Sequence, residues 1–408
     1  MGLIDGVMTM LGWGPTQVEP QRVPTDEVLP VHHFDDNAIN RSIILAWTLR
    51  FNDVLDADKL HDGLSRLLEI GDWRKLGGRI RKGPNDKLEI HVPSEFTPDR
   101  PAVRFTKESF GVSFAEHPLA SQMPNATSGI HIHGSPERFR EFIGSADTTP
   151  GSIDDYLNSD SPQLGLHVVT FLDATLVSLN WPHTMTDGLG RLAIVKNWSK
   201  VLAGKEDEVA PLKGPLDDPM ATVGTGPLHE KEEPYAFKDK NLSGIGMANF
   251  MAHVIWDKFW VPEHELKVVF IPAKAMAVLR KQAADDLSTT NADGQGAIRF
   301  ARELGNKPAL LVPPTSITLV CSNWSKGKFF DAVDFAPAVV RPGPKSDVAP
   351  VPGKPVYFQA ISTKQDPPML RNVYNVLGKD CGGDYWVTAK LPPVVWQNID
   401  KEIAKVQF

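Results

Sequence analysis

The sequence predicts an α/β chain of the α+β kind, with mixed sheets and helices arranged in two domains. Three observations predict it. At 408 residues the chain exceeds what one hydrophobic core usually holds. Strand-like alternation and helix-like spacing of apolar residues recur in both halves. There is no strict βαβ alternation, no glycine-rich phosphate loop and no short-period repeat, which removes doubly wound and solenoid folds.

Ile43 to Phe51 alternates as a strand, and Asp56 stands where an N-cap belongs. Leu60, Leu64, Leu67 and Leu68 follow at helical spacing, and Gly71 is the stop signal. Lys87 to Val92 alternates again. Residues 93–163 carry no regular pattern. Within them His131 and His133 share a face of a short strand, and with no third ligand nearby they predict no metal site. Leu166 to Leu172 and Thr175 to Asn180 read as two strands joined at Asp173-Ala174. Pro182 lacks an N–H, so the ladder should end there.

A helix then opens at Asp187, with Leu189, Leu192, Val195, Trp198 and Leu202 on one face, and Gly204 closes it. Residues 205–241 have linker composition, which places the first domain at 1–215, the linker at 216–241 and the second domain at 242–408. Ile245 to Trp260 carries Asn249, His253, Asp257 and Lys258 and is no bilayer span. Met247, Phe250, Met251, Val254 and Ile255 make it a core helix, or else the wall of an apolar tunnel. Strands are expected at Leu266–Ile271, Ser316–Val320, Val356–Ile361 and Tyr385–Leu391. Helices are expected after Pro272, through Met276, Leu279 and Ala283, and after Pro392, through Val395, Ile399 and Ile403.

Bulk properties exclude several function classes. The net charge of −7 and the lack of any long basic run argue against a nucleic-acid partner. Cys321 and Cys381 are too few for a disulfide framework or a zinc site. The apolar N-terminus has no basic flank, so it is a poor signal peptide, and Gly6 spoils a myristoylation pattern. A cytoplasmic monomer off the membrane is the resulting expectation. The sequons at Asn125, Asn197, Asn241 and Asn323 then read as chance matches.

The chemistry concentrates in Trp181-Pro-His183-Thr-Met-Thr-Asp187-Gly188, at the seam between a strand and a helix. His followed by Asp at +4 and Gly at +5 arises by chance about 0.07 times in a chain of this composition. The shorter pattern also occurs at His32 and Asp36, without the glycine. A neutral imidazole can take a proton from an alcohol at cellular pH, a contribution of about 10²–10⁴ in rate. A thioester needs little help with its leaving group, so one base and one or two oxyanion donors suffice. Asp187, at the helix start, would pin the loop rather than move protons, and Gly188 would permit a close turn.

With His183 and Asp187, four further segments resemble the BAHD acyltransferases, in particular their fungal secondary-metabolism branch. Gly71 to Ile80 is similar to a family segment ending in Gly-Arg. Ser322-Asn323-Trp324 resembles the Thr-Ser-Trp element, and Asp334-Phe-Ala-Pro-Ala338 stands where the family has Asp-Phe-Gly-Trp-Gly. Arg371 to Asp380 is similar to fungal members. The segments span most of the chain in the family's order.

The resemblance implies two similar domains like chloramphenicol acetyltransferase, with an active-site tunnel between them. It implies His183 as general base, Ser322 and Trp324 as oxyanion donors, Asp187 as structural, and Asp334 as a distant anchor pairing with an Arg. It implies no permanently bound cofactor and no metal, with acetyl-CoA or another acyl-CoA as co-substrate. The function implied is O-acyl transfer, acetyl first, to a hydroxyl of a terpenoid, polyketide or alkaloid. Two departures stand out. Ala336 and Pro337 replace Gly-Trp, and His183 to Asp334 spans 151 positions, a second domain shortened after about residue 290. The competing readings are a CoA-independent cyclisation or isomerisation on the same fold, and a non-catalytic metabolite binder. A carrier-protein condensation domain would double the histidine, and position 182 is Pro.

Overall fold

The computed structural model describes residues 20–226, 239, 241–284, 319–344, 351–364 and 371–406. The first half gives strands β1 (Glu27–Pro30), β2 (Ile44–Phe51), β3 (Val54–Leu55), β4 (Arg79–Lys82) and β5 (Leu88–Val92), then β6 (Arg104–Ser109), β7 (His131–His133), β8 (Gly165–Thr170) and β9 (Thr175–Pro182). The second gives β10 (Glu265–Ile271), β11 (Val320–Asn323), β12 (Val339–Arg341), β13 (Tyr357–Ser362), β14 (Val373–Lys379) and β15 (Tyr385–Leu391). The α-helices are α1 (Ala38–Arg41), α2 (Ala57–Leu67), α3 (Ile153–Leu157), α4 (Gly188–Leu202), α5 (Gly244–Trp260), α6 (Ala273–Ala284), α7 (Phe329–Ala332) and α8 (Pro393–Ile403).

Two five-stranded mixed sheets organise these elements. One has the order β13-β2-β9-β8-β6, antiparallel except for the parallel β6–β8 pair. The other has the order β11-β14-β15-β10-β7, antiparallel except for β11–β14. Each sheet borrows an edge strand from the other half of the sequence. β13 runs along β2 from Tyr357 opposite Arg50 to Ser362 opposite Leu45, and β7 pairs with β10. With β12, which pairs with β3, three strands therefore pair across the division expected at 216–241. Small sheets β1-β5-β4 and β3-β12 flank the pair.

Strand β9 is central and buried along its whole length, which suits its run of Leu176, Val177, Leu179 and Trp181. Its polar Ser178 is satisfied by Thr48 Oγ1 and by the Phe142 carbonyl, both at 2.8 Å. Helix α2 begins at Asp56, whose carboxylate accepts from the N–H groups of Asp58 and Lys59. Leu60, Leu64 and Leu67 are wholly buried, each worth about 1.5–3 kcal/mol. They pack with α4, whose Trp198 Nε1 donates to the Leu60 carbonyl at 3.0 Å. Gly63 permits the approach, because a Cβ there would lie 2.6 Å from Leu202 Cδ2.

A second tie spans the sequence. Buried Asp53 accepts from Gly343 N–H and Gly353 N–H, both at 2.8 Å. Gly353 has φ +79, and a Cβ there would meet the Ala336 nitrogen at 2.1 Å.

Several expectations are corrected. Helix α5 forms, but only Phe250 along it is buried, while Ile255, Trp256, Phe259 and Trp260 are exposed. It is neither a core helix nor a wall of the cavity described below. Helical spacing of apolar residues beside the polar stripe Asn249, His253 and Asp257 shows an amphipathic segment but not what its apolar face meets. Leu189 of α4 is exposed rather than on the inner face. α2 ends at Leu67, and Gly71, with φ +49, opens a 3₁₀ stretch over Gly71–Gly77 instead of stopping the helix. The strand expected at Ser316–Val320 is described only from residue 319, where β11 begins at Val320. The expected shortening after about 290 falls on residues 285–318, outside the described residues. Among the described residues, no helix is long and apolar enough to cross a membrane. Cys321 is exposed, Cys381 is half-buried, and both are free thiols. Asn197 of the second sequon is buried and bonded to Ala193 and Ala210.

Candidate active site

β9 carries the chain to the seam. The Ile44–Pro182 pair is the last of its ladder, and one further bond, His183 N–H to the Ile43 carbonyl at 2.9 Å, holds the next residue to β2. A turn closes from Met185 N–H to the Pro182 carbonyl, also at 2.9 Å. Trp181 Nε1 donates to the Thr186 carbonyl at 3.3 Å. Asp187 then caps α4, accepting from the N–H groups of Leu189 and Gly190 at 2.9 Å. Such a cap contributes about 1 kcal/mol, and its charge suits the positive end of the helix. Gly188 is not the glycine this turn needs. A Cβ there meets open space, whereas one at Gly190 would sit 1.7 Å from Thr186 Oγ1.

The loop borders a cavity of about 450 Å³ between the two large sheets. His183, Asp187 and Gly188 line it from the first half, and Ser322 and Trp324, at the end of β11, from the second. Trp324 Nε1 donates to Ser322 Oγ at 2.9 Å, and the Trp324 backbone N–H is held by the Val376 carbonyl at 2.8 Å. Asn375 and Thr388, partners on neighbouring strands β14 and β15, add polar wall. His183 Nδ1 is buried and makes no hydrogen bond among the described residues.

Arg191, one turn into α4, also lines the cavity and was not foreseen. It is almost wholly buried, and burial pushes its pKa down to about 9 against the pull of Asp187. The signal was present in the sequence: an arginine at the i−4 position from Val195, inside the inner stripe of an apolar helix.

Asp334 lies elsewhere. Its backbone N–H donates to Ser199 Oγ at 3.0 Å, and its carboxylate accepts from Ala336 N–H at 3.2 Å. The expected arginine partner is instead Lys354, at 3.8 Å. The rings of His131 and His133 meet edge to face at 4.5 Å on the edge strand β7, and burial, helped by His131, pushes His133 down to about 4. Among the described residues no group of three or more His, Cys, Asp or Glu could hold a metal. Behind the His183 loop a smaller cavity of about 150 Å³ is lined by His32, Asp35 and Lys75. Burial, then the nearby Asp187, raises Asp35 to about 6, and burial lowers Lys75 to about 8.

No protein-family model matches the chain. The O-acetyltransferase PaAT-2 of Phomopsis amygdali is 35% identical over 490 aligned positions, covering 94% of this chain and 99% of its own. The chain belongs to the fungal acetyltransferases. The acetyltransferase BOT5 of Botryotinia fuckeliana is 31% identical to this acetyltransferase, over 93% of this chain and 90% of its own. One relative of similar likeness, 30% identical, is named transcriptional regulator calD, from Penicillium decumbens. Among solved structures, F. graminearum TRI101 complexed with coenzyme A and T-2 mycotoxin shares the fold. Its TM-score is 0.57 at 14% identity, covering 93% of this chain and 98% of that one. The 490 aligned positions exceed the 408 residues of this acetyltransferase, so PaAT-2 carries stretches with no counterpart here.

Proposed function

We propose that this acetyltransferase moves an acetyl group from acetyl-CoA to a hydroxyl of a terpenoid, polyketide or alkaloid, with His183 as general base. The observation that carries the reading is the shared cavity: His183 from one half of the chain faces Ser322 and Trp324 from the other. Its volume suits a small metabolite and the reacting end of a thioester. TRI101 holds coenzyme A together with a small-molecule toxin on the same fold, which supports pairing a thioester with a metabolite here.

With Nδ1 buried, Nε2 is the ring nitrogen that can meet a substrate. It takes the proton of the acceptor hydroxyl as that oxygen attacks the thioester carbonyl. The carbonyl π electrons move onto oxygen. Ser322, already accepting the Trp324 N–H, has its own O–H to donate to that oxyanion, and accepting a bond strengthens the one it gives. Collapse breaks the C–S bond, and the thiolate leaves with the proton held by His183. Asp187 and Gly190 hold the loop, and Asp334 with Lys354 anchors the far side.

We read the enzyme as a cytoplasmic monomer acting on small molecules away from nucleic acid and membrane. The free, exposed Cys321 suits a reducing compartment. We also read residues 1–215 and 242–408 as the two domains, with the shortening in the second after about 290. The aligned stretches absent from this chain favour it.

The test is incubation of the protein with acetyl-CoA and a panel of hydroxylated metabolites, reading free thiol and acetylated product. The reading predicts both from wild type and neither from His183→Ala. Turnover of a metabolite without thiol release would refute acyl transfer.

A further inference from the structure

Among the described residues, Arg191 is a buried cation that makes no ion pair. Its Nε and Nη2 atoms are buried and make no hydrogen bond among the described residues. Four aromatic rings surround the guanidinium instead. Its carbon lies 4.5 Å from the Trp47 centroid, 4.4 Å from Phe329, 5.9 Å from Trp181 and 4.5 Å from Trp324. The nearest opposing charge is the cap residue Asp187, a turn away on the same helix. Packing does not explain the charge. A methionine would fill the same cage without burying an ion, and such exchanges are commonly neutral or stabilising.

One of the four rings is already part of the site. Trp324 presents one π face to Arg191, while its Nε1–H points at Ser322 Oγ. A cation on the face of an indole draws electron density from the ring, and the N–H at its edge becomes a stronger donor. We propose that Arg191 is a positioning residue for the transfer step: it fixes Trp324 and polarises its indole N–H, which strengthens Ser322 as oxyanion donor. The inference rests on the oxyanion role read above for Ser322 and Trp324. It adds a charged residue on α4, in the same helical segment that Asp187 caps, so one element supplies the loop of the base and the field behind the oxyanion site. The low polarity of the cage keeps that field from being screened by water.

A double-mutant cycle tests it. Arg191→Met in the wild-type background is expected to lower kcat on the order of tenfold, with KM for acetyl-CoA held within about twofold. Its melting temperature should stay level or rise, and Arg191→Lys should recover most of the lost rate. In a Trp324→Phe background, which keeps the ring and removes the N–H, the same Arg191→Met change should cost less than about twofold. Equal losses in the two backgrounds overturn the inference. So does an unchanged kcat, or an Arg191→Met protein that does not fold, since either makes Arg191 a packing residue.

A readout independent of turnover separates this inference from the transfer reading. The ¹⁵N–¹H resonance of the Trp324 indole, identified by its loss in Trp324→Phe, should move in Arg191→Met, and an unmoved resonance overturns the inference. If Trp324→Phe leaves kcat untouched, the oxyanion reading fails instead, and the resonance alone decides whether Arg191 polarises the indole.

Discussion

Trp324→Phe deletes the N–H that Ser322 accepts and leaves the ring over Arg191 in place. Loss of an oxyanion donor lowers kcat on the order of 10²-fold when the donor acts directly. On the proposed arrangement, with Trp324 behind Ser322, Trp324→Phe should cost less than Ser322→Ala in steady-state kinetics, with KM nearly constant in both. A larger loss for Trp324→Phe would mean that the indole itself meets the oxyanion. That these residues would line one cavity was legible in their types and order: a histidine at a strand–helix seam, then Ser-Asn-Trp far downstream. Arg191 was not. Composition cannot show that a charge on an inner stripe finds four rings rather than water. Gly188 was misread for a related reason. Which of two glycines is sterically required depends on where Thr186 Oγ1 lies.

The β9–loop–α4 unit stands on a few local bonds. Asp187→Ala removes the acceptor for two helix N–H groups and should lower stability by about 1 kcal/mol in urea unfolding. Activity should fall further than that loss alone explains, because the cap also closes the His183 loop. Gly190→Ala forces a Cβ into Thr186 Oγ1 and should impair both folding and turnover, whereas Gly188→Ala should fold normally. Strands β9, β10 and β15 were readable from their apolar runs. β14 was noticed only as a family-like segment, since Asn375 and Gly378 interrupt the apolar residues of Val373 to Lys379 and leave no strict alternation. β6 was missed because it is an exposed parallel edge with the sequence RFTKES. The helical spacing of apolar residues in α5 pointed to the core, yet only Phe250 along it is buried, because spacing within one segment does not say what that face meets.

Across the whole molecule, contacts distant in sequence join the two halves. Asp53→Ala would leave the Gly343 and Gly353 N–H groups without their acceptor, at about 1–3 kcal/mol for each buried group. A drop of that size in chemical denaturation would show that this clamp is worth more than a surface contact. Such ties, and the exchange of β7 and β13 between sheets, were invisible to periodicity, which reports one segment at a time.

Acid should also loosen the fold. Burial holds His133 and His167 at about 4, below the ordinary 6.5. The unfolded chain therefore binds their protons first, and the stability they contribute is lost as pH falls from about 6.5 toward 4. Asp35, raised to about 6, acts in the opposite sense but as one group against two. The denaturation midpoint should fall over that window, and His133→Gln with His167→Gln should flatten the slope. An unchanged slope would put the acid sensitivity elsewhere.

The central claim is that His183 serves chemistry and not thioester binding, at a cavity built by both halves. Titration of wild type and His183→Ala with acetyl-CoA, followed by single turnover with an accepted metabolite, tests it most directly. Acetyl-CoA affinity should be equal in the two proteins, with single-turnover product formation at least about 10²-fold slower in the variant. Equal product formation by His183→Ala, or wild type that does not bind acetyl-CoA, would contradict it.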